Sequence, residues 1–274
     1  MVKIICCLFF IIIGFRAFTQ NQPKCIGQEC RAKKCDDIKG ITLEPVYGKI
    51  PQNYTGIAMV CFSSGHTAEI NNYLNGKTHG YSFHYNPELN LTQKSYYVEG
   101  LKQGEEINYW PNGNLSSIIN YQFGLENGIM LKYNLDGILE FEGTYLKGKR
   151  SGISKEYFPN RKISTTSNYS NDKLEGKQTA YYQSGNIKMT CSYINGMKEG
   201  VATLYFDNDK KLIEGIITYS KDKANGKIVK YFENGKIEYE GQMKEDEKEG
   251  VWIYNFNDGR ETIKRTYSNG KRVN

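Results

Sequence analysis

The chain has 274 residues and a formal net charge of +6, with 24% charged and 39% hydrophobic residues, which is ordinary for a soluble protein. Only six prolines occur, which excludes a proline-rich linker. Without Lys3 and Arg16, which lie in a predicted leader, the charge is 6 − 2 = +4, and so small an excess argues against a dedicated nucleic-acid binder.

The first 19 residues predict a signal peptide. Lys3 is followed by an apolar stretch over residues 4–15, which is too short to span a bilayer and suits a signal-peptide core. Ala17 and Thr19 supply small residues for a cleavage site. The alternative is a buried strand or helix of the fold. We therefore expect an exported protein that is periplasmic, in the outer envelope or secreted.

Residues 20–55 form a cysteine-containing segment that we interpret as a cap for the first exposed edge of the strands after residue 55. An oxidising compartment favours disulfides. The pairing among Cys25, Cys30, Cys35 and Cys61 stays open, whereas Cys191 is expected to be buried and free. A metal site at the first three of these cysteines is the weaker alternative, because zinc ligands usually lie closer together in sequence.

From residue 56 to 274 the chain repeats. Nine glycines recur at seven spacings of 24 residues and one of 26, and a fixed period in this range signals a repeat array. We call them the repeat glycines: Gly56, Gly80, Gly104, Gly128, Gly152, Gly176, Gly200, Gly226 and Gly250. Seven residues before the next repeat glycine, or its equivalent at the end of the chain, stands a repeat tyrosine, replaced once by Met243: Tyr73, Tyr97, Tyr121, Tyr145, Tyr169, Tyr193, Tyr219 and Tyr267.

Each repeat predicts two β-strands joined by short turns. The segment that ends at the repeat tyrosine alternates with a period of two, as in Glu140, Glu142 and Thr144 on its polar side, which is typical of a half-buried strand. Turns rich in Asn-Gly and Asp suit the positive φ angles of hairpins and force antiparallel neighbours. The prediction is an all-β, elongated antiparallel β-hairpin repeat array, a single twisted meander sheet with about 24 residues per repeat.

The spacing of these residues resembles a known family. The segment from Tyr231 to Trp252 reads YFENGKIEYEGQMKEDEKEGVW and is similar to MORN-type repeats, most closely to the variant repeat of YwqK-family antitoxin proteins. The resemblance implies a β-hairpin repeat fold. It further implies either scaffolding and acidic-lipid contact, as in MORN arrays, or binding of a toxin.

Catalytic signatures are missing from the sequence. No zinc-protease, nucleophile-elbow, phosphate-loop or dinucleotide-binding pattern occurs, and the carboxylates occupy outward positions of the repeat. We expect no catalytic residue, no metal ligand and no cofactor, and therefore a protein that is not an enzyme.

Two rows of side chains are candidate binding surfaces. Six residues past a repeat glycine lie aromatic rings, which are favoured at protein interfaces: Trp110, Phe158, Tyr182, Phe206, Phe232 and Phe256. The alternative is that these rings pack over the turns or a neighbouring strand. Lysines near the turns between repeats form a candidate edge for an anionic partner, with solvated turn residues as the alternative: Lys77, Lys149, Lys173, Lys223 and Lys271.

The sequence thus predicts a non-enzymatic exported scaffold that binds another protein, with no nucleic acid as partner. Two alternatives remain open, an antitoxin or immunity-type inhibitor of a toxin and a scaffold that binds acidic lipid.

Overall fold

A computed structural model describes residues 40–43, 50–62, 66–258 and 260–273. Every regular element in these residues is a β-strand, which confirms the all-β prediction. The described part of the chain contains no helix that is long and apolar enough to cross a membrane. The predicted signal peptide and Cys25, Cys30 and Cys35 lie outside these residues.

The strands fall into two compact bodies, one ending at Gln103 and one beginning at Gly104. The N-terminal body contains β1 (Gly40–Leu43), β2 (Gly56–Cys61), β3 (Thr67–Leu74), β4 (Lys77–Tyr85), β5 (Leu91–Val98) and β6 (Leu101–Lys102). The C-terminal body contains β7 (Gly104–Tyr109), β8 (Leu115–Gln122), β9 (Leu125–Tyr133), β10 (Leu139–Leu146), β11 (Lys149–Tyr157), β12 (Ile163–Ser170), β13 (Lys173–Leu174), β14 (Gly176–Tyr181), β15 (Ile187–Ile194), β16 (Met197–Lys198), β17 (Gly200–Tyr205), β18 (Ile213–Ser220), β19 (Lys223–Tyr231), β20 (Ile237–Lys244), β21 (Glu247–Tyr254), β22 (Ile263–Ser268) and β23 (Lys271–Arg272).

Within each body the chain forms an antiparallel meander. From β7 to β23, strands that follow each other in sequence pair with each other, and the short strands β13 and β16 continue into β14 and β17 along the same neighbour. The predicted hairpin repeat is therefore confirmed. One strand was not expected: β1, inside the cysteine-containing segment 20–55, pairs in parallel with β2, Gly40 lying opposite Ile57.

Every repeat glycine lies directly opposite its repeat tyrosine, or opposite Met243 in the eighth repeat, as Gly152 does opposite Tyr169. All nine glycines have positive φ angles, between 69° and 149°, which a residue with a Cβ adopts only with strain. The strand that contains Gly152, β11, also pairs with β10, and a bulge interrupts that pairing. There, the five residues from Arg150 to Ser154 on β11 lie opposite the three residues from Gly143 to Tyr145 on β10. An aromatic ring opposite the glycine restores the contacts that its missing side chain cannot make.

The turns between repeats all have the mirror-image conformation that matches strand twist. Their two central residues have φ angles of 46–53° and 67–88°, which is the type I′ pattern. In three of them the second central residue is aspartate, as at Asp222, which binds the backbone of the preceding repeat twice. Its backbone N–H donates to the Lys198 carbonyl at 3.1 Å, and its carboxylate accepts the Lys198 N–H at 2.8 Å. Neighbouring turns are thereby tied together.

Several buried positions of the C-terminal body hold small residues sheltered by larger neighbours in the same sheet. Ser154 and Ser167 face each other across β11 and β12 and are both buried. The rings of Phe141 and Trp252 lie over Gly143 and Gly241, where a Cβ would collide with them. We call the slot two residues before the repeat tyrosine, or before Met243, the small-residue position. It holds serine, glycine or cysteine in five repeats and Asn71, Ile119 and Ile217 in three others. Cys191 occupies it in the sixth repeat, is 2% exposed and is free, as predicted.

We predict that Gly226→Ala lowers the free energy of unfolding more than Gly200→Ala does. Gly226 has a φ angle of +119°, and a Cβ there would lie 3.1 Å from the Thr218 Cβ; Gly200 has a φ angle of +80° with open space around it. The first change combines strain with crowding and should cost roughly 1–3 kcal/mol, the second about 1 kcal/mol. Urea unfolding of both variants measures the difference, and equal losses would show that the Thr218 contact is unimportant.

Candidate interaction surfaces

The six predicted aromatic residues of the binding surface lie at one kind of site in the C-terminal body. Each follows the end of a strand and begins the turn within a repeat; the backbone N–H of Trp110, for example, donates to the Asn114 carbonyl at 2.8 Å. All six side chains are half-buried. We call this edge of the sheet, lined by Trp110, Phe158, Tyr182, Phe206, Phe232 and Phe256, the aromatic edge.

Two of these side chains also connect successive repeats. The Trp110 indole donates a hydrogen bond to the Tyr133 carbonyl at 3.0 Å, and the Tyr182 hydroxyl donates to the Tyr205 carbonyl at 2.8 Å. Burial raises the pKa of Tyr182, so its hydroxyl stays protonated and able to donate. These rings therefore pack against the next repeat while keeping part of their surface exposed.

Polar side chains fix the same edge. The Asn112 and Asn114 amides both donate to the Leu135 carbonyl, at 2.9 and 2.8 Å, and the Asn160 amide donates to the Gln183 carbonyl at 2.9 Å. Each of these bonds joins one turn to the turn of the following repeat. A surface held in place in this way loses little conformational entropy when a partner binds.

The five predicted lysines are exposed, and each begins the strand that follows a turn between repeats. Lys77 lies in the N-terminal body, and Lys149, Lys173, Lys223 and Lys271 lie in the C-terminal body. Lys223 forms a 2.7 Å ion pair with Glu245, and the hydrogen bond to this carboxylate raises the pKa of the lysine. The turns of the C-terminal body also carry carboxylates, including Asp172, Asp222 and Asp246. The charge along this edge is therefore mixed, which weakens a long-range field for an anionic surface.

A cleft of about 510 Å³ lies between the last two hairpins of the C-terminal body. Two residues of the aromatic edge, Phe232 and Phe256, line it together with Tyr239, Tyr254 and Arg265. The last three were not predicted from the sequence. A signal was present, because Asn255, which also lines the cleft, stands where seven earlier repeats have tyrosine.

Aromatic rings cluster beside this cleft. The ring centroids of Tyr239 and Trp252 are 5.9 Å apart, and those of Trp252 and Tyr254 are 6.2 Å apart. The Lys248 ammonium lies 4.4 Å from the Trp252 ring centroid and donates to the Tyr254 hydroxyl at 2.9 Å. The hydrogen bond with Tyr254 and the nearby Arg265 lower the pKa of Tyr267. Such ring–ring and cation–ring contacts stabilise the end of the array.

A polar cluster lies in the middle of the C-terminal body. The Tyr157 hydroxyl donates to Glu142 Oε2 at 2.9 Å, and the Lys155 ammonium lies 3.3 Å from the same carboxylate. Burial and the negative charge of Glu142 raise the pKa of Tyr157 to about 12.

Within the described residues no group of three or more His, Cys, Asp or Glu side chains is arranged to hold a metal ion.

A comparison with protein-family models agrees with the repeat geometry. A family model described as MORN repeat variant matches residues 102–122, 174–195 and 224–245. At these three places the chain has MORN-variant repeats. Each match includes one repeat glycine and the residue opposite it: Gly104 with Tyr121, Gly176 with Tyr193, and Gly226 with Met243.

Similarity to solved structures is low. A porin-like protein from Bacteroides uniformis shares 10% identity at a TM-score of 0.19, covering 72% of this chain and 87% of that one. A structure described as TcdB2-TccC3-TEV shares 12% identity at a TM-score of 0.18, covering 73% of this chain, and this chain spans 12% of its length. No curated protein matches the chain.

We predict that the stability of the protein falls as the pH rises from about 10 to about 12 and that Tyr157→Phe makes this fall shallower. An unfolded tyrosine ionises near pH 10, whereas Tyr157 in the folded protein keeps its proton to about 12. The unfolded state then binds fewer protons than the folded state, so stability is lost with rising pH. Urea unfolding midpoints at several alkaline pH values test this, and parallel curves for both proteins would contradict it.

Proposed function

We propose that this chain is a non-enzymatic, exported scaffold that binds another protein along its aromatic edge. MORN-variant repeats are consistent with a repeat scaffold for binding. The observation that carries the proposal is the placement of half-buried rings at equivalent positions of six turns in the C-terminal body, with Trp110 and Tyr182 held by hydrogen bonds to the next repeat. Rigid aromatic side chains supply contact area at low entropic cost.

The partner surface should be extended, because the rings recur in six of the seven repeats that begin at Gly104 to Gly250, and Asn134 takes the position in the seventh. A protein that follows several turns could contact one ring after another, as is usual for repeat scaffolds. Export is our interpretation of residues 1–19, and an envelope or extracellular protein is accordingly the partner we propose.

We predict that the double change Phe158→Gln and Phe206→Gln removes most partner binding with little change in melting temperature. Neither side chain lines the cleft between the last hairpins, so that site is left intact. The wild-type chain is immobilised, proteins retained from the native envelope fraction are identified by mass spectrometry, and each purified candidate is titrated calorimetrically against wild type and variant. Loss of the two rings should weaken binding by at least about tenfold, since aromatic anchors commonly contribute 1.4 kcal/mol or more.

The matched control is the double change Ile153→Gln and Val201→Gln. These apolar side chains are 60% and 56% exposed and lie on the sheet face away from the turns. The control should bind like wild type. If instead the control loses binding and the phenylalanine variant keeps it, the partner surface is the sheet face and the proposal is wrong. The identity of the retained protein separates a general scaffold from the inhibitor of a toxin.

A further inference from the structure

The last repeat departs from the pattern at two positions that line the cleft. Asn255 replaces the tyrosine found five residues past the repeat glycine in seven earlier repeats. Arg265 occupies the small-residue position, where Ser167, Cys191 and Gly241 stand in other repeats, and lies directly opposite Trp252. A repeat array multiplies equivalent surfaces, so two such departures at one place create a site that occurs once.

The first departure leaves space in the sheet. The Asn255 amide donates to the Ile237 carbonyl at 3.1 Å and accepts the Thr262 hydroxyl at 3.0 Å, so it is held beside the cleft. A tyrosine there would bring a ring into the space between Phe232, Tyr239, Tyr254 and Phe256. The 510 Å³ that remain lie within the range of ligand pockets, about 300–1,000 Å³.

The second departure places a positive charge in this space. The two carboxylates that line the cleft each form an ion pair within the chain: Asp258 with Arg260 at 2.8 Å, and Glu238 with Lys230 at 3.8 Å. Arg265 forms a side-chain hydrogen bond with Tyr267 but no ion pair with a carboxylate among the described residues, and its Nε is buried without a hydrogen-bond acceptor there. Its guanidinium lies 5.4 Å from the Tyr254 ring centroid. A cation desolvated against rings is stabilised when a ligand supplies the opposite charge.

We propose that this cleft binds a peptide segment in which an aromatic side chain is adjacent to a carboxylate. The ring would pack among Phe232, Tyr239, Tyr254 and Phe256, and the carboxylate would pair with the Arg265 guanidinium, whose planar fork suits it. Asp258 and Arg260 are exposed at the rim, so the peptide can continue past it into solvent. The inference rests on the proposed function only in taking a protein as the ligand.

The test uses the full chain and two synthetic peptides, acetyl-Gly-Phe-Asp-Gly-amide and its counterpart with Asn in place of Asp. Calorimetry should show binding of the first peptide and binding at least about tenfold weaker for the second, because the carboxylate pairs with a guanidinium. The Arg265 Nε–H signal in a nitrogen-15 NMR spectrum should shift on titration with the Asp peptide. Equal affinity for both peptides, or no binding of either, would overturn the proposal.

Three variants locate the site. Asn255→Tyr returns the position to the repeat pattern and should keep the melting temperature while abolishing binding of the Asp peptide, because the ring fills the cleft. Arg265→Ser, which restores a small residue, should weaken the Asp peptide to the affinity of the Asn peptide. Lys264→Gln removes the same charge from an exposed neighbour outside the cleft and should change nothing. Unchanged binding in Asn255→Tyr would contradict the proposed location.

The result is separable from that of the aromatic edge. Because Phe158 and Phe206 do not line the cleft, their double variant should bind the Asp peptide like wild type. If this variant loses the envelope partner but still binds the Asp peptide, the aromatic edge is tested without the cleft. If it also loses the peptide, the cleft is not an independent site.

Discussion

The fold depends on one backbone constraint that recurs once per repeat, the positive φ angle of the repeat glycine. At Gly152 this conformation accommodates extra residues on β11 opposite β10, while the glycine itself stays paired with Tyr169 on β12. A strand with a bulge at the same position in each repeat twists by the same increment, so its turns are offset in the same way. The regular bonds between turns, such as those of Asp222 to Lys198, require such an offset.

The C-terminal body buries its core residues without a second sheet among residues 104–258 and 260–273. In a sandwich, a core residue is covered by the facing sheet. Here Gly143 and Gly241 are covered by rings from the same sheet, and Ser154 and Ser167 are buried against each other. The alternation of a small residue with a large neighbour therefore replaces a second layer. It also explains why Cys191 fits: a thiol is close to serine in size, and its burial raises its pKa, which keeps it unreactive.

The repeat, the strands and the turns could be predicted because they depend on local spacing. The period of the glycines located the two strands of each repeat, and Asn-Gly or Asp at the turns indicated their positive φ angles. Bonds between repeats could not be predicted in the same way. The hydrogen bond from Trp110 to the Tyr133 carbonyl and that from Asn160 to the Gln183 carbonyl each span 23 residues and depend on the lateral offset of two turns. Spacing fixes which residues lie at an edge, and only the twist of the sheet decides which of them touch.

The same distinction governs function. A residue that conforms to the repeat is explained first by packing, and the half-buried rings at Trp110 and Tyr182 show that packing and exposure coexist at one position. A residue that departs from the repeat is not explained in this way. Asn255 gives up the ring that its position has in seven other repeats, and Arg265 introduces a charge at a position that is uncharged in the eight other repeats. Neither change improves burial, because one removes apolar area and the other adds a cation that must be desolvated. In a chain whose stability comes from regularity, two departures at one cleft that packing does not explain support the proposal that this cleft binds a specific ligand.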